Sequence, residues 1–327
     1  MLRSLQYFRI APVVVAVALA MSACKKEEYA LPTAPEGLQN DVLKRSQGPN
    51  VVGEQIEFAF AMAILDGKLG SAQVEASIPG AAGTFLEHRS FHTDGSGVDV
   101  PVEVGSPSVT TGNTTVVTYG KDTGAATLRY YYVIPEAARG QQVNFRFTTT
   151  ASDGTTKTIN AGPYTISKMD IVRMLDVSNN NMAYISLEDM AVYNETDAAA
   201  NAGKIDLAYL YRNITTSAFN HALVAPAATE YLPDVTLPAG VNRTAKIRKE
   251  FGLQDQQLVS NLASGKYIDD ADFEQLNLSE SPNFAINLKA EAGVWVETAD
   301  GKYRAYVYIN SVNANGSAKI SIKRIAL

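Results

Sequence analysis

In the stretch "IEFAFAMAIL" the larger apolar side chains Ile56, Phe58, Phe60, Met62 and Ile64 fall on every second position. A strand with one buried face requires this spacing, because successive side chains point to opposite sides of a sheet. The same period returns in "LRYYYVI" at Leu128, Tyr130, Tyr132 and Ile134, and in "VNFRF" at Val143, Phe145 and Phe147. Tyr131 must then lie on the opposite sheet face. The runs "LDGKLGS", "IPGAAG", "TDGSG", "KDTGA" and "ASDGTT" separate these segments and carry the glycines and aspartates that turns need. Short alternating strands over residues 50–167 predict an all-β domain, an immunoglobulin-like β-sandwich.

After "GPYTIS" the pattern changes, which places a domain boundary near Ser167. "SLEDMAVYNETDAAANA" has helical composition, with Ser186 as its cap and acids in the first turn. "KIDLAYLYR" reads as a strand with Ile205, Leu207, Tyr209 and Tyr211 on one face. "RTAKIRKEFGL", "DQQLVSNLAS" and "DDADFEQLN" read as helical. The chain closes with strands carrying Val294, Val296, Tyr306, Tyr308, Ile320 and Ile322, joined by hairpin turns at "ADGK" and "NANGS". Residues 168–327 are therefore expected to form an α+β domain, following an N-terminal all-β sandwich.

The N-terminus follows a different logic. Arg3 and Arg9 precede the apolar run "APVVVAVALAM", and small residues Ser22 and Ala23 follow it, as in an export signal over residues 1–23. The run is shorter than the roughly 20 apolar residues a membrane span needs. It leads straight into Cys24, the only cysteine of the chain. "MSAC" resembles the lipobox of bacterial lipoproteins, with Met21 where leucine is commonest. The resemblance implies cleavage before Cys24, a diacylglycerol on its thiol and an acyl group on its amine. More than one lipid chain anchors stably, since each buried methylene contributes about 0.8 kcal/mol. No thiol then remains for a disulfide, a zinc site or a nucleophile. The membrane is thus one expected partner, through Cys24. "CKKEEY" resembles the charged tethers of Bacteroidota lipoproteins, where acids such as Glu27 and Glu28 accompany export to the outer face of the outer membrane. Residues 24–49, with Pro32, Pro35, Gly48 and Pro49, are expected to be a flexible tether.

Charge and composition narrow the chemistry further. The chain has 28 basic and 34 acidic residues; removal of Arg3 and Arg9 with the signal leaves 26 basic residues and a net charge of -8. A mildly acidic chain without long basic runs argues against a nucleic-acid partner. No phosphate-cradling glycine loop or dinucleotide fingerprint is present, and no cofactor is expected. The chain's three histidines are His88, His92 and His221, and there is no G-x-S-x-G, so histidine-based triads have few candidates. On an extended strand His88, His92 and Asp94 share a parity and offer two imidazoles and a carboxylate for a metal. However, strand positions four apart lie about 13 Å from each other, which favours a polar strand end. Asp269, Asp270, Asp272 and Glu274 offer oxygen ligands for calcium, but the stretch lacks the glycine and distal glutamate of an EF-hand loop. Asp272 fits helix capping equally well.

A carbohydrate partner is suggested by the 16 tyrosines, whose rings stack on sugars while their hydroxyls bond to them. Tyr209, Tyr211, His221 and Trp295 are the candidate ligand-binding residues, against a packing role for each. Trp295 faces away from Val294 and Val296. The whole organisation, through "SACKKEE", "GQQVNFRFTTTASDG" and "GKIDLAYLYR" followed by "HALVAP", resembles uncharacterised Bacteroidota lipoproteins with an immunoglobulin-like domain followed by an α+β domain. That resemblance implies a cell-surface or polysaccharide-related role and supplies no catalytic residues. The expectation is a non-catalytic module that binds or presents a glycan or surface protein outside the outer membrane. The alternatives are a structural or adhesive component, and a carbohydrate-active hydrolase with unidentified carboxylates about 5–10 Å apart.

Overall fold

The alternating stretches form the strands that their period requires. In a computed structural model, which describes residues 37–179, 181–212, 219–232, 234–259 and 265–327, Ile56, Phe58, Phe60 and Met62 are at most 3% exposed. The N-terminal domain contains β1 (Leu38–Lys44), β2 (Gln55–Ile64), β3 (Leu69–Ala76), β4 (Phe85–Leu86), β5 (Arg89–Thr93), β6 (Asp99–Glu103), β7 (Val109–Thr111), β8 (Thr114–Thr118), β9 (Ala125–Val133), β10 (Gln142–Ala151) and β11 (Thr156–Thr165). One sheet has the order β1-β2-β9-β4 and the other β11-β10-β3-β8-β7, while β5 and β6 form a separate hairpin. The two sheets close on one core in which Phe58 packs against Phe145 (4.9 Å between centroids), Phe147 (5.3 Å) and Tyr164 (5.5 Å). Tyr131, on the outer face, stacks on Phe85 at 4.9 Å.

The tether expected over residues 24–49 is shorter where the chain is described. Leu38–Lys44 is β1, antiparallel to β2 with Leu38 opposite Ile64. Leu38 is buried and Val42 packs against the same core. The polar residues between them hid a half-buried edge strand from composition. Residues 1–36, which hold the expected signal, Cys24 and the first half of the expected tether, lie outside the described residues.

The second domain is mostly strand, which corrects the α+β expectation. It contains β12 (Asp170–Ser178), β13 (Tyr184–Ser186), β14 (Ala191–Tyr193), α1 (Glu195–Ala200), β15 (Ile205–Arg212), β16 (Asn220–Val224), β17 (Ala245–Phe251), α2 (Asp270–Gln275), β18 (Phe284–Leu288), β19 (Ala292–Thr298), β20 (Tyr303–Val312) and β21 (Ser317–Ala326). The sheets run β12-β21-β20-β19-β17 and β14-β13-β15-β16-β18, and Ile247, Val294, Val307 and Ile322 of one face Leu207, Tyr209 and Leu223 of the other. "RTAKIRKEFGL" is β17, because Ala245 and Ile247 alternate with exposed Lys246 and Arg248. Ser186 ends β13 rather than capping a helix. The short α1 starts nine residues later, after its cap Asn194, whose side chain accepts from the Asp197 N–H.

The outer face of the β17-containing sheet is also covered. Leu258, Ile268, Phe273, Leu276 and Leu278, from the connection between β17 and β18, pack on Trp295, Tyr306 and Tyr308. Consequently β19 is buried on both faces: Val294 and Val296 point to the inter-sheet core and Trp295 away from it. Val51 of the first domain is fully buried in that same outer cluster. The two domains are therefore joined through a shared apolar cluster and not only through the chain.

Candidate functional site

The domain junction forms from short-range pieces that converge only in three dimensions. Asn50 bridges to Ile166, and the Ser167 N–H donates to the Asn50 carbonyl at 2.8 Å. Gln257 Nε2 donates to the Pro49 carbonyl at 3.0 Å, and Arg173 pairs with Glu54 at 2.8 Å. Arg139 closes a further edge with Asp170 at 2.8 Å. Gly48 sits at φ +76° against the face of Tyr267, where any side chain would overlap the ring. A positive φ and a missing Cβ are both conditions that glycine meets without strain.

Beside these contacts opens a groove of about 730 Å³. Its walls carry Lys44 and Tyr164 from the first domain and Tyr267, Asp269, Asp270 and Glu274 from the second. Lys44 Nζ lies 6.0 Å from the Tyr164 ring centroid and donates to the Ser46 carbonyl at 2.5 Å; burial lowers its pKa. Asp270 accepts from Ser167 Oγ at 2.8 Å, tying one wall to the junction. The four acids weighed as calcium ligands divide by role. Asp269 caps α2, accepting from the Ala271 and Asp272 N–H groups at 2.9 and 3.2 Å, while Asp272 accepts from the Asp269 N–H at 2.9 Å. This is a reciprocal capping box, with the cap at Asp269 and Asp272 as its return partner.

The remaining candidates are scattered. Tyr209 and His221 meet at 2.6 Å between the hydroxyl and Nδ1, and Tyr211 packs on the imidazole at 4.6 Å. Tyr209 is 1% and His221 6% exposed. Burial raises the Tyr209 pKa and lowers that of His221, so the imidazole is kept neutral. Trp295 is on the other sheet, packed on Tyr306 at 4.7 Å and Phe273 at 5.4 Å. Tyr209, His221 and Trp295 thus pack inside the second domain on two different sheets, each at most 6% exposed.

His88, His92 and Asp94 do not converge. His88 Nδ1 pairs with Glu87 at 3.2 Å, His92 is on exposed β5 opposite Val100, and Asp94 closes a turn by accepting from the Ser96 and Val98 N–H groups. Among the described residues, no group of three or more His, Cys, Asp or Glu side chains is placed to hold a metal ion.

A crystal structure of a DUF4466 family protein from Parabacteroides merdae is 46% identical, covering 90% of this chain and all of that one with a TM-score of 0.84. The chain belongs to the DUF4466 family. The model of that domain of unknown function matches residues 35–166, and a second, DUF8576, also of unknown function, matches residues 167–327. The two meet at the junction, next to Ser167. The DUF4466 chain is also matched, at 10% identity, to two pilus proteins. The major Myf fimbrial subunit MyfA of Yersinia enterocolitica, solved with galactose, has a TM-score of 0.23, covering 40% of this chain and 98% of that one. The Bacillus cereus major pilin BcpA has a TM-score of 0.29, covering 86% of this chain and 62% of that one. Scores this low carry no argument about shared architecture or function. No curated protein matches the sequence.

Within the DUF4466 protein, the groove residues Lys44, Tyr164 and Tyr267 were not legible as a site. Lys44 lies in the expected tether, Tyr164 in the last strand of one domain and Tyr267 in a charged loop of the other. Their only sequence signal is that each flanks a turn or a boundary.

Proposed function

We propose that this protein is a non-catalytic, lipid-anchored binding module of the outer-membrane exterior, and that the groove between its domains receives a glycan. The observation carrying this reading is the groove of about 730 Å³, which combines half-buried Tyr164 and Tyr267 with Lys44 and three carboxylates. Ligand sites favour domain interfaces, and aromatic rings beside polar groups suit a sugar's mixed surface. The anchor rests on "MSAC" at Cys24 and on the charges that follow it. Two face-to-face antiparallel sheets without a disulfide fit an immunoglobulin-like first domain.

The test is a glycan array probed with the soluble form lacking residues 1–24, beside Tyr164→Ala and Tyr267→Ala. Binding lost in both variants supports the groove. Binding kept in both, or absent from the parent protein, overturns it. A structural or adhesive role is the second reading, favoured by the shared cluster around Val51 that joins the two domains.

A further inference from the structure

The second domain contains a buried carboxylate that its packing leaves half-satisfied. β13 pairs with β15 in steady register from Tyr184–Ala208 to Ile185–Leu207, and then Ser186 pairs with Ile205. Asp206 is the extra residue of that bulge, which turns Ile205 to the opposite face from Leu207. Its side chain is 1% exposed. Oδ2 accepts from the Leu187 N–H at 2.9 Å, but Oδ1 is buried with no hydrogen-bond partner.

The cation nearest to Oδ1 is Arg243, just before β17, with Nη2 3.4 Å away. That guanidinium is shared: Nη1 donates to the Gly203 carbonyl, and Nη2 is 3.3 Å from Asp300 in the turn between β19 and β20. The other charges facing the cluster are Glu188, after β13, and Lys302, 3.5 Å from Asp300. Glu188 is itself engaged by Lys204 at 3.2 Å, and Arg324 of β21 donates to the Leu187 and Glu188 carbonyls. One arginine therefore serves two carboxylates, on a bulge in one sheet and a turn in the other.

We propose that Asp206, Arg243 and Asp300 form a proton-linked switch where the two sheets of the second domain meet, in which the domain gains stability when the under-satisfied buried carboxylate of Asp206 takes up a proton. Protonation removes a desolvated charge at the cost of the long Asp206–Arg243 pair, while Arg243 keeps Asp300 and the Gly203 carbonyl. Burial pushes the Asp206 carboxyl up to about 6, outweighing the Leu187 N–H and Arg243, while Asp300 and Glu188 push the same way. Asp300, though its partial burial works the other way, is held down to about 2 by the Thr298 hydroxyl, the Lys302 N–H, Arg243 and Lys302. A carboxyl whose folded pKa exceeds its unfolded value of 3.8 gives stability that is fully present below 3.8. That stability is lost as pH rises through about 6. The domain is thus less stable in neutral or alkaline medium and more stable in mildly acidic medium, independently of whether the groove binds a glycan.

Urea unfolding of the full protein between pH 8 and pH 5, beside D206N and D300N, tests this. Within the steep part of the window the parent's unfolding constant should fall, relative to D206N, by up to about tenfold per pH unit. D206N keeps an acceptor for the Leu187 N–H and cannot titrate; His221 titrates in both proteins and cancels in the comparison. D300N gives Arg243 wholly to Asp206 and should move the pH dependence to lower pH. Should D206N fail to fold, the D300N displacement decides alone. A parent curve parallel to that of D206N, or a D300N curve that does not move, overturns the switch.

Discussion

Lys323 offers the sharpest perturbation of the fold. Its side chain and that of Asp255 are both 0% exposed, with Nζ 2.5 Å from Oδ2, and Nζ also donates to the Ile268 carbonyl at 2.8 Å. Asp255 in turn accepts from the Gln257 N–H at 2.7 Å and the Ile268 N–H at 2.6 Å. The pair therefore pins both ends of the loop that carries Tyr267 to the outer face of β21. Lys323→Met keeps the apolar stem but leaves Asp255 buried without its counter-charge, which costs about 3–5 kcal/mol. Replacing both members, as Lys323→Met with Asp255→Leu, removes the stranded charge. It also removes the acceptor of the buried Ile268 N–H, worth about 1–3 kcal/mol, and that of the part-buried Gln257 N–H. The double variant is thus expected to remain well below the parent protein. Urea unfolding followed by Trp295 fluorescence reads this directly, because Trp295 is the chain's one tryptophan and lies in the cluster the loop covers. A loss below about 1 kcal/mol in Lys323→Met would refute the reasoning, since it requires the stranded carboxylate to be solvated; full recovery in the double variant would refute it by requiring the Gln257 and Ile268 N–H groups to find other acceptors.

Other outcomes follow from the same physics. His221, lowered below its ordinary 6.5 by burial, withdraws stability as pH falls below that value, and His221→Asn should remove this component from a thermal pH series. Gly48→Ala should lower the melting temperature, because the new methyl must displace Tyr267 and occupy a positive φ at a cost of about 1–3 kcal/mol. Cys24→Ala should release the protein from the membrane fraction or leave it unprocessed, and unchanged lipid labelling would count against the anchor. Phe58→Ala should cost about 3–5 kcal/mol in urea unfolding, since it opens a cavity among Phe145, Phe147 and Tyr164.

The strands of the first domain were readable because each buries one face, so period 2 is written directly into Ile56–Phe58–Phe60 and Leu128–Tyr130–Tyr132. The second domain concealed its strands in two ways. Short strands such as Tyr184–Ser186 offer too few positions for a period to show, and β19 is apolar on both faces because a loop covers the outer one. Charges in "RTAKIRKEFGL" suggested a helix although Ala245 and Ile247 already alternated. In the same way, Leu38 and Val42 were too sparse among polar neighbours to reveal an edge strand. The expectation that Ile205 shares a face with Leu207 failed at a bulge, a local insertion that a strict period cannot express.

By itself the sequence determined the alternating core of the first domain, the position of the boundary signal near Ser167, the closing hairpin turns, and a lone Cys24 set in a lipobox-like context. These are local properties, fixed by side-chain direction and turn chemistry over a few residues. Only the tertiary structure decided that Lys44, Tyr164 and Tyr267 share a groove, that Lys323 meets Asp255, and that Arg243 stands between Asp206 and Asp300. Those meetings join residues tens to hundreds of positions apart, and their register depends on a bulge, a covering loop and a glycine beneath a ring. The physical reason is that burial, which sets both the charges' energies and the groove's shape, belongs to the assembled sheets and not to any one segment.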